Sequence, residues 1–189
     1  MIPKVIHYCW FGGNPLPELA QKCIASWRKY CPDYEIKEWN ESNFDLSCCE
    51  YVREAYEAKK WAFVSDVARL YAMVHEGGIY MDTDVEVIAP LDSLLQYHAV
   101  SGFETEHSIP TGLMACEKGN PMFTEFLNEY KTAHFLLPDS SLDQTTNVVR
   151  ITNICLKYDF IPNNQKQNER LPSRFPLSHN PIQKPAAIT

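Results

Sequence analysis

The sequence has no long apolar run. Nowhere do the roughly 18 consecutive apolar residues of a membrane-spanning helix occur, and the N-terminus lacks the apolar core of about 7 to 15 residues that marks a secretory leader. The expectation is a chain that is neither exported by a standard signal nor membrane-spanning, hence cytoplasmic. Basic residues are also scarce, with 17 Lys and Arg against 24 Asp and Glu and a formal net charge of −7. Neutralising a phosphate backbone needs clustered cations, so nucleic-acid binding is not expected. Neither C-x-x-C nor H-x-x-x-H occurs, which argues against a zinc ribbon or a two-His helical metal site. The seven cysteines are expected as reduced thiols, mostly small core residues, with Cys48-Cys49 at a loop or helix start. Glycine is sparse, yet four of the seven glycines form two pairs, Gly12-Gly13 and Gly77-Gly78. Without a G-x-G-x-x-G spacing the first pair does not support a dinucleotide site. It reads as a turn where backbone passes close to a nucleotide.

What is present is a chain of 189 residues, 45% hydrophobic, enough for one domain with a full core. Residues 2 to 9 are apolar on both faces, like a buried parallel strand. Leu16, Leu19, Ala20, Cys23, Ile24 and Trp27 mark an amphipathic helix over 16 to 30, and 34 to 39 alternates as a strand. A helix over 50 to 60 follows. Phe63, Val67, Leu70 and Val74 then give a longer helix that Gly77 and Gly78 stop. Strands are expected at 79 to 81, 85 to 88, 98 to 103 and 112 to 117. Asn120 and Pro121 read as the cap and first position of a helix reaching about Ala133. Strands alternating with helices predict an α/β fold with a mostly parallel central sheet, whose ligands sit beyond the carboxyl ends of the strands. The domain is expected over 1–161. Residues 162–189, with five prolines and four Lys or Arg against one Glu, read as an irregular tail, solvated or touching an anionic membrane surface.

The chemistry concentrates near the second glycine pair. On an extended segment Asp82 and Asp84 project to one face, and their oxygens suit a hard cation such as Mg²⁺ or Mn²⁺. An isolated Asp-x-Asp is more often a pair of solvated turn residues. An EF-hand is excluded, because Val87 stands where the loop needs Gly and Ser93 where it needs Glu. Asp66 and Arg69 lie three apart on a helix, where an ordinary surface ion pair is the alternative to a shared polar ligand. Trp10 ends the first strand, as a core aromatic or as a stacking surface.

Ser65-Asp66-x-x-Arg69, followed by Gly77-Gly78-Ile79-Tyr80-Met81-Asp82-Thr83-Asp84, resembles the sugar-nucleotide region of glycosyltransferase family 32, and its layout is similar to clostridial toxin glucosyltransferase domains. Ile2 to Gly13 is similar to the first strand and turn of those enzymes. The resemblance implies a GT-A fold and a metal-dependent, retaining transferase that uses a nucleoside diphosphate sugar. Carried over, Trp10 stacks on the base, Asp66 and Arg69 hold sugar or ribose hydroxyls, Tyr80 and Asp82 contact the sugar and phosphates, and Asp84 is the more direct metal ligand. The implied acceptor is a saccharide or a lipid-linked hydroxyl in surface polysaccharide synthesis. Family members of the bacterial type continue into a His-, Ser- and Trp-rich segment, where this chain offers only Ser178-His179. That leaves a donor-binding but inactive or truncated domain, or a toxin-like transferase acting on protein, as alternatives.

Overall fold

The computed structural model describes residues 1–157, 160, 161 and 163. Apart from Asn163, the expected tail over 162–189, with Ser178 and His179, lies outside the described residues.

Among the described residues five strands and five α-helices follow one another in the order β1 (Val5–Cys9), α1 (Glu18–Tyr30), β2 (Glu35–Trp39), α2 (Glu50–Glu57), α3 (Trp61–His75), β3 (Gly78–Met81), β4 (Ala99–Ser101), β5 (Leu113–Cys116), α4 (Pro121–Glu129) and α5 (Asn147–Leu156). One sheet has the order β2-β1-β3-β5-β4. β1 pairs in parallel with both β2 and β3, in the registers Ile6 with Ile36 and Ile6 with Ile79. β5 runs antiparallel to β3 and to β4, so it alone is reversed and the other four strands point one way.

Period-two alternation divides the core. Ile6, Tyr8, Ile79 and Met81 pack on one face with Ile24 and Trp27 of α1. Cys9, Tyr80, Met114 and Cys116 pack on the other with α2, α3, α4 and α5. Burial on both faces explains why β1 and β3 lack polar alternation. Each fully buried Ile or Met there contributes roughly 1.5 to 3 kcal/mol. The one polar intruder, His7, is fully buried and satisfied. The Trp39 indole N–H donates to its Nδ1 at 3.1 Å, which puts the imidazole proton on Nε2, and that donates to the Gly77 carbonyl at 2.8 Å. Burial holds the His7 pKa below its ordinary value, so the ring stays neutral and ties β1, β2 and the α3–β3 turn together.

The predicted stop at Gly77-Gly78 holds. α3 closes with the Gly77 N–H on the Met73 carbonyl at 3.1 Å, and both glycines take positive φ, +70° and +112°. Asn120 caps α4, accepting from the N–H groups of Met122 and Phe123. One expected strand is absent. Residues 85–88 have no strand partner among the described residues, because α1 satisfies their backbone instead: Trp27 donates to the Val85 carbonyl at 2.7 Å, and the Val87 N–H donates to Ser26 Oγ at 2.9 Å. The helix expected to reach Ala133 ends at Glu129. α5 lies in a stretch where the sequence suggested no element.

A side chain at Gly78 is excluded twice, by its φ of +112° and by the Val5 carbonyl oxygen, which a Cβ would approach to 2.6 Å. Gly78→Ala is therefore expected to lower stability by about 2 kcal/mol or more. A urea midpoint equal to the parent's would refute this account of the turn.

Candidate active site

Two chain breaks sit at the same end of the sheet. β1 leads into Trp10 and the Gly12-Gly13 turn, and β3 leads into Asp82. Between them α3 presents Trp61, Ser65 and Arg69 at i, i+4 and i+8, one helical stripe. These residues, with Cys9, Phe11, Asn14, Tyr80, Thr83 and Asp84, line an open cavity of about 530 Å³. That is a size suited to a nucleotide-like ligand.

The floor is built on Arg69, only 6% exposed. Its Nε donates to the Ser65 carbonyl at 3.3 Å and its Nη1 to the Thr111 carbonyl at 3.0 Å. Nη1 also pairs with Asp82 Oδ1 at 3.1 Å, and Nη2 pairs with Asp66 Oδ1 at 3.2 Å. The Tyr80 ring covers the guanidinium at 4.7 Å, and its hydroxyl donates to the same Asp82 oxygen at 2.8 Å. Asp82 Oδ1 thus meets both the Tyr80 hydroxyl and the Arg69 guanidinium, while Oδ2 has no hydrogen bond or ion pair among the described residues.

The Asp82–Asp84 geometry departs from expectation. β3 ends at Met81, and residues 82–85 form a turn closed by the Val85 N–H on the Asp82 carbonyl at 3.0 Å. The two acids therefore do not share a strand face. Asp82 is half-buried and held, whereas Asp84 is exposed at the turn and has no ion pair among the described residues. Both still line the cavity. Among the described residues no group of three or more His, Cys, Asp or Glu could hold a metal. Two hard carboxylates suit a Mg²⁺ or Mn²⁺ ion that takes its remaining ligands from water and a diphosphate, and a cage made wholly of protein groups is absent from the described residues.

The aromatic wall is fixed as well. The Trp10 indole N–H donates to the Asn14 carbonyl at 2.6 Å, which sets the ring at the mouth. Trp61 lies over Gly12 and meets Tyr56 at 5.0 Å between ring centres. Glu41 accepts from the Gly12 N–H at 2.6 Å, pinning the turn. The sequence reading did not pick out Trp61, although its spacing from Ser65 and Arg69 places it on their stripe.

Of the candidate residues, Trp10, Arg69, Tyr80, Asp82 and Asp84 line the cavity together. Asp66 does not; it sits behind Arg69, its side chain 14% exposed. Burial raises its pKa to about 6, with Arg69 opposing that rise and Asp82 adding to it.

Residues 17–101 match the family model described as the glycosyltransferase sugar-binding region containing a DXD motif. The chain is similar to that region over a little under half of its residues. Inositol phosphoceramide mannosyltransferase 3 of Schizosaccharomyces pombe is 29% identical over 132 residues, covering 66% of this chain and 36% of that protein. Mannosyl phosphorylinositol ceramide synthase SUR1 of Saccharomyces cerevisiae is 24% identical over 172 residues, covering 84% of this chain and 43% of the relative. The chain thus spans less than half the length of either. Among solved structures, the PaToxG glycosyltransferase superposes with a TM-score of 0.61 at 17% identity, covering 82% of this chain and 68% of that one. The fold is therefore the GT-A glycosyltransferase fold expected from the sequence.

The raised Asp66 pKa has a signed consequence. The folded chain holds this proton more tightly than the unfolded chain, whose ordinary value is 3.8, so the stability linked to it is full below that value and is lost as pH rises through about 6. Asp66→Asn removes that loss. Relative to the parent, the variant is expected to gain on the order of 2 to 3 kcal/mol between pH 4 and pH 7. Denaturation curves with a pH-independent difference would contradict it.

Proposed function

We propose that this chain transfers a hexose or N-acetylhexosamine from a nucleoside diphosphate sugar to a hydroxyl acceptor, with retention at the anomeric carbon, in the building of a surface polysaccharide or lipid-linked glycan. The observation that carries the reading is the convergence of a pinned indole, a buried guanidinium and two unequal carboxylates on one cavity at the ends of β1 and β3. The names of the relatives, mannosyltransferases acting in inositol phosphoceramide chemistry, support a hexose donor and a lipid-linked hydroxyl. A cytoplasmic site of action, with the basic tail near an anionic membrane surface, belongs to the same proposal.

Trp10 offers the donor's base a flat face, and such stacking is worth on the order of 1 to 3 kcal/mol. Tyr80 and Asp82 stand where the sugar and diphosphate would lie. Asp66 and Arg69 serve the sugar or ribose hydroxyls chiefly by fixing Asp82 and the end of β3. The Arg69 charge underlies the position where diphosphate charge develops as the sugar leaves. Asp84, with the unshared oxygen of Asp82, would hold the divalent cation. When bound, that ion neutralises the leaving diphosphate. Among the described residues the cavity lining contains no His and no carboxylate besides Asp82 and Asp84, so no separate general base faces the acceptor. This supports a retaining route in which the departing phosphate receives the acceptor's proton.

The test titrates the chain with UDP- and GDP-sugars, with and without Mn²⁺, following binding heat and donor hydrolysis. Asp84→Ala is expected to lower kcat/KM by roughly a hundredfold, about 3 kcal/mol, while retaining the fold. Unchanged donor turnover would remove Asp84 from the metal site. Trp10→Ala is expected to weaken donor binding about tenfold to a hundredfold, equally for different sugars on one nucleotide. A loss that depends on the sugar would place Trp10 against the wrong half of the donor.

A further inference from the structure

The chain has four tryptophans, Trp10, Trp27, Trp39 and Trp61. Three of them spend the indole N–H inside the protein: Trp27 on the Val85 carbonyl at 2.7 Å, Trp39 on His7 Nδ1 at 3.1 Å, and Trp10 on the Asn14 carbonyl at 2.6 Å. An indole N–H can only donate, and a Trp packed into a fold usually finds it an acceptor. Trp61 is the exception. Its ring is half-buried and lines the cavity, yet its N–H has no acceptor among the described residues.

The ring is nevertheless held in place. Trp61 is the first residue of α3, so the helix fixes its backbone. One edge of the indole lies on Gly12, where a Cβ would come within 2.6 Å of Nε1 and 2.8 Å of Cε2. Tyr56 packs on it with ring centres 5.0 Å apart. Glu41 joins these two supports, because its Oε1 accepts from the Gly12 N–H at 2.6 Å and from the Tyr56 hydroxyl at 3.4 Å. A donor fixed before binding costs a ligand little ordering entropy. Two indoles thus flank the Gly12-Gly13 turn with different offers: Trp10 has a face and a spent N–H, and Trp61 has an N–H still to give.

The α3 stripe says which part of a ligand meets it. Trp61 and Arg69 are separated by eight residues, with Ser65 midway. That is about 12 Å along a helix axis. Arg69 lies against Asp82, at the end of the cavity where a diphosphate and its cation would sit. A nucleoside diphosphate laid along the stripe from that end brings its nucleoside to Trp61.

We infer that Trp61 is a second nucleoside-binding residue of the cavity, donating its indole N–H to an oxygen acceptor on the nucleoside while Trp10 covers the face of the base. The inference rests on the nucleoside diphosphate reading of the cavity given above. Glu41 acts through others: it is a positioning residue that holds Gly12 and Tyr56 against the indole.

The test measures binding of UDP, GDP and inorganic pyrophosphate by calorimetry, each with Mn²⁺, on the folded full chain and on two variants. Trp61→Phe keeps an aromatic ring beside Gly12 and lacks the N–H; it is expected to bind the preferred nucleotide about threefold to tenfold more weakly. Trp61→Ala is expected to lose about tenfold to a hundredfold. Pyrophosphate, which has no nucleoside, is expected to bind equally well to all three. In proton NMR of the parent, the Trp61 indole N–H, identified by its loss in Trp61→Phe, is expected to shift when the nucleotide is added, whereas those of Trp27 and Trp39 stay in place. Nucleotide binding by Trp61→Phe as tight as the parent's, an equal loss for pyrophosphate, or an unmoved Trp61 resonance overturns the inference and leaves the transferase reading standing. A parent chain that binds neither nucleotide overturns both. If Trp61→Ala fails to fold, Trp61→Phe and the parent spectrum decide.

Discussion

The buried guanidinium of Arg69 is the constraint on which the cavity end of the molecule depends. It leaves α3, reaches under the end of β3 and touches Thr111, two residues before β5, so one side chain ties three elements together. A buried cation is costly unless it is partnered, and here the Ser65 and Thr111 carbonyls accept from the guanidinium while Asp66 and Asp82 pair with its charge. Such a network is a weak source of net stability. Its value is positional, because removing any acceptor leaves a buried donor unpaired and moves the rest. Two carboxylates share one guanidinium, so one acid must sit in poorer company. That acid is Asp66, farther from the cavity and pushed toward neutrality by burial.

Sheet direction explains why this network lies beside an opening. β1 and β3 run the same way, and both end on the α3 side at the start of loops. Parallel strands leave their carboxyl ends as the place where successive loops meet. β5 runs against them, so its amino end brings Thr111 and Gly112 to the same edge, where the Asp82 N–H bonds the Gly112 carbonyl at 2.8 Å. The reversed strand thereby closes the floor that parallel strands alone would leave open.

Much of this was legible in the sequence because local chemistry and tertiary packing agree. Gly77 and Gly78 have to stop α3, and they stop it where a Cβ would strike the neighbouring strand. The apolar runs at β1 and β3 are buried on both faces. Asn120-Pro121 carries its own capping logic. The misses arise where a segment's partners are remote side chains. Residues 85–88 have strand-like composition, but Trp27 and Ser26 of α1 take their backbone groups. Likewise α5, which Thr146 caps locally by accepting from the Val149 N–H, is held in place by its first residue, Asn147, which accepts from the Tyr130 hydroxyl and donates to the Asp66 carbonyl at 3.2 Å, tertiary bonds that the sequence does not announce. Trp61 was legible by spacing alone, since its stripe with Ser65 and Arg69 is a helical period.

The turn at 82–85 shows why a motif can be right in composition while its simplest geometry is wrong. Two acids on one strand face would have equal surroundings. In the turn they diverge: Asp82 is fastened through one oxygen by Arg69 and Tyr80, and Asp84 projects without an ion pair among the described residues. A fastened carboxylate suits a fixed contact, because its orientation does not change as charge develops nearby. A free carboxylate suits an exchangeable cation that must enter and leave with a diphosphate, since coordination then displaces only water. Under the proposed function, the unequal pair would suit a cycle of loading and release better than two identical ligands, and Arg69 contributes to that inequality by fastening Asp82 alone.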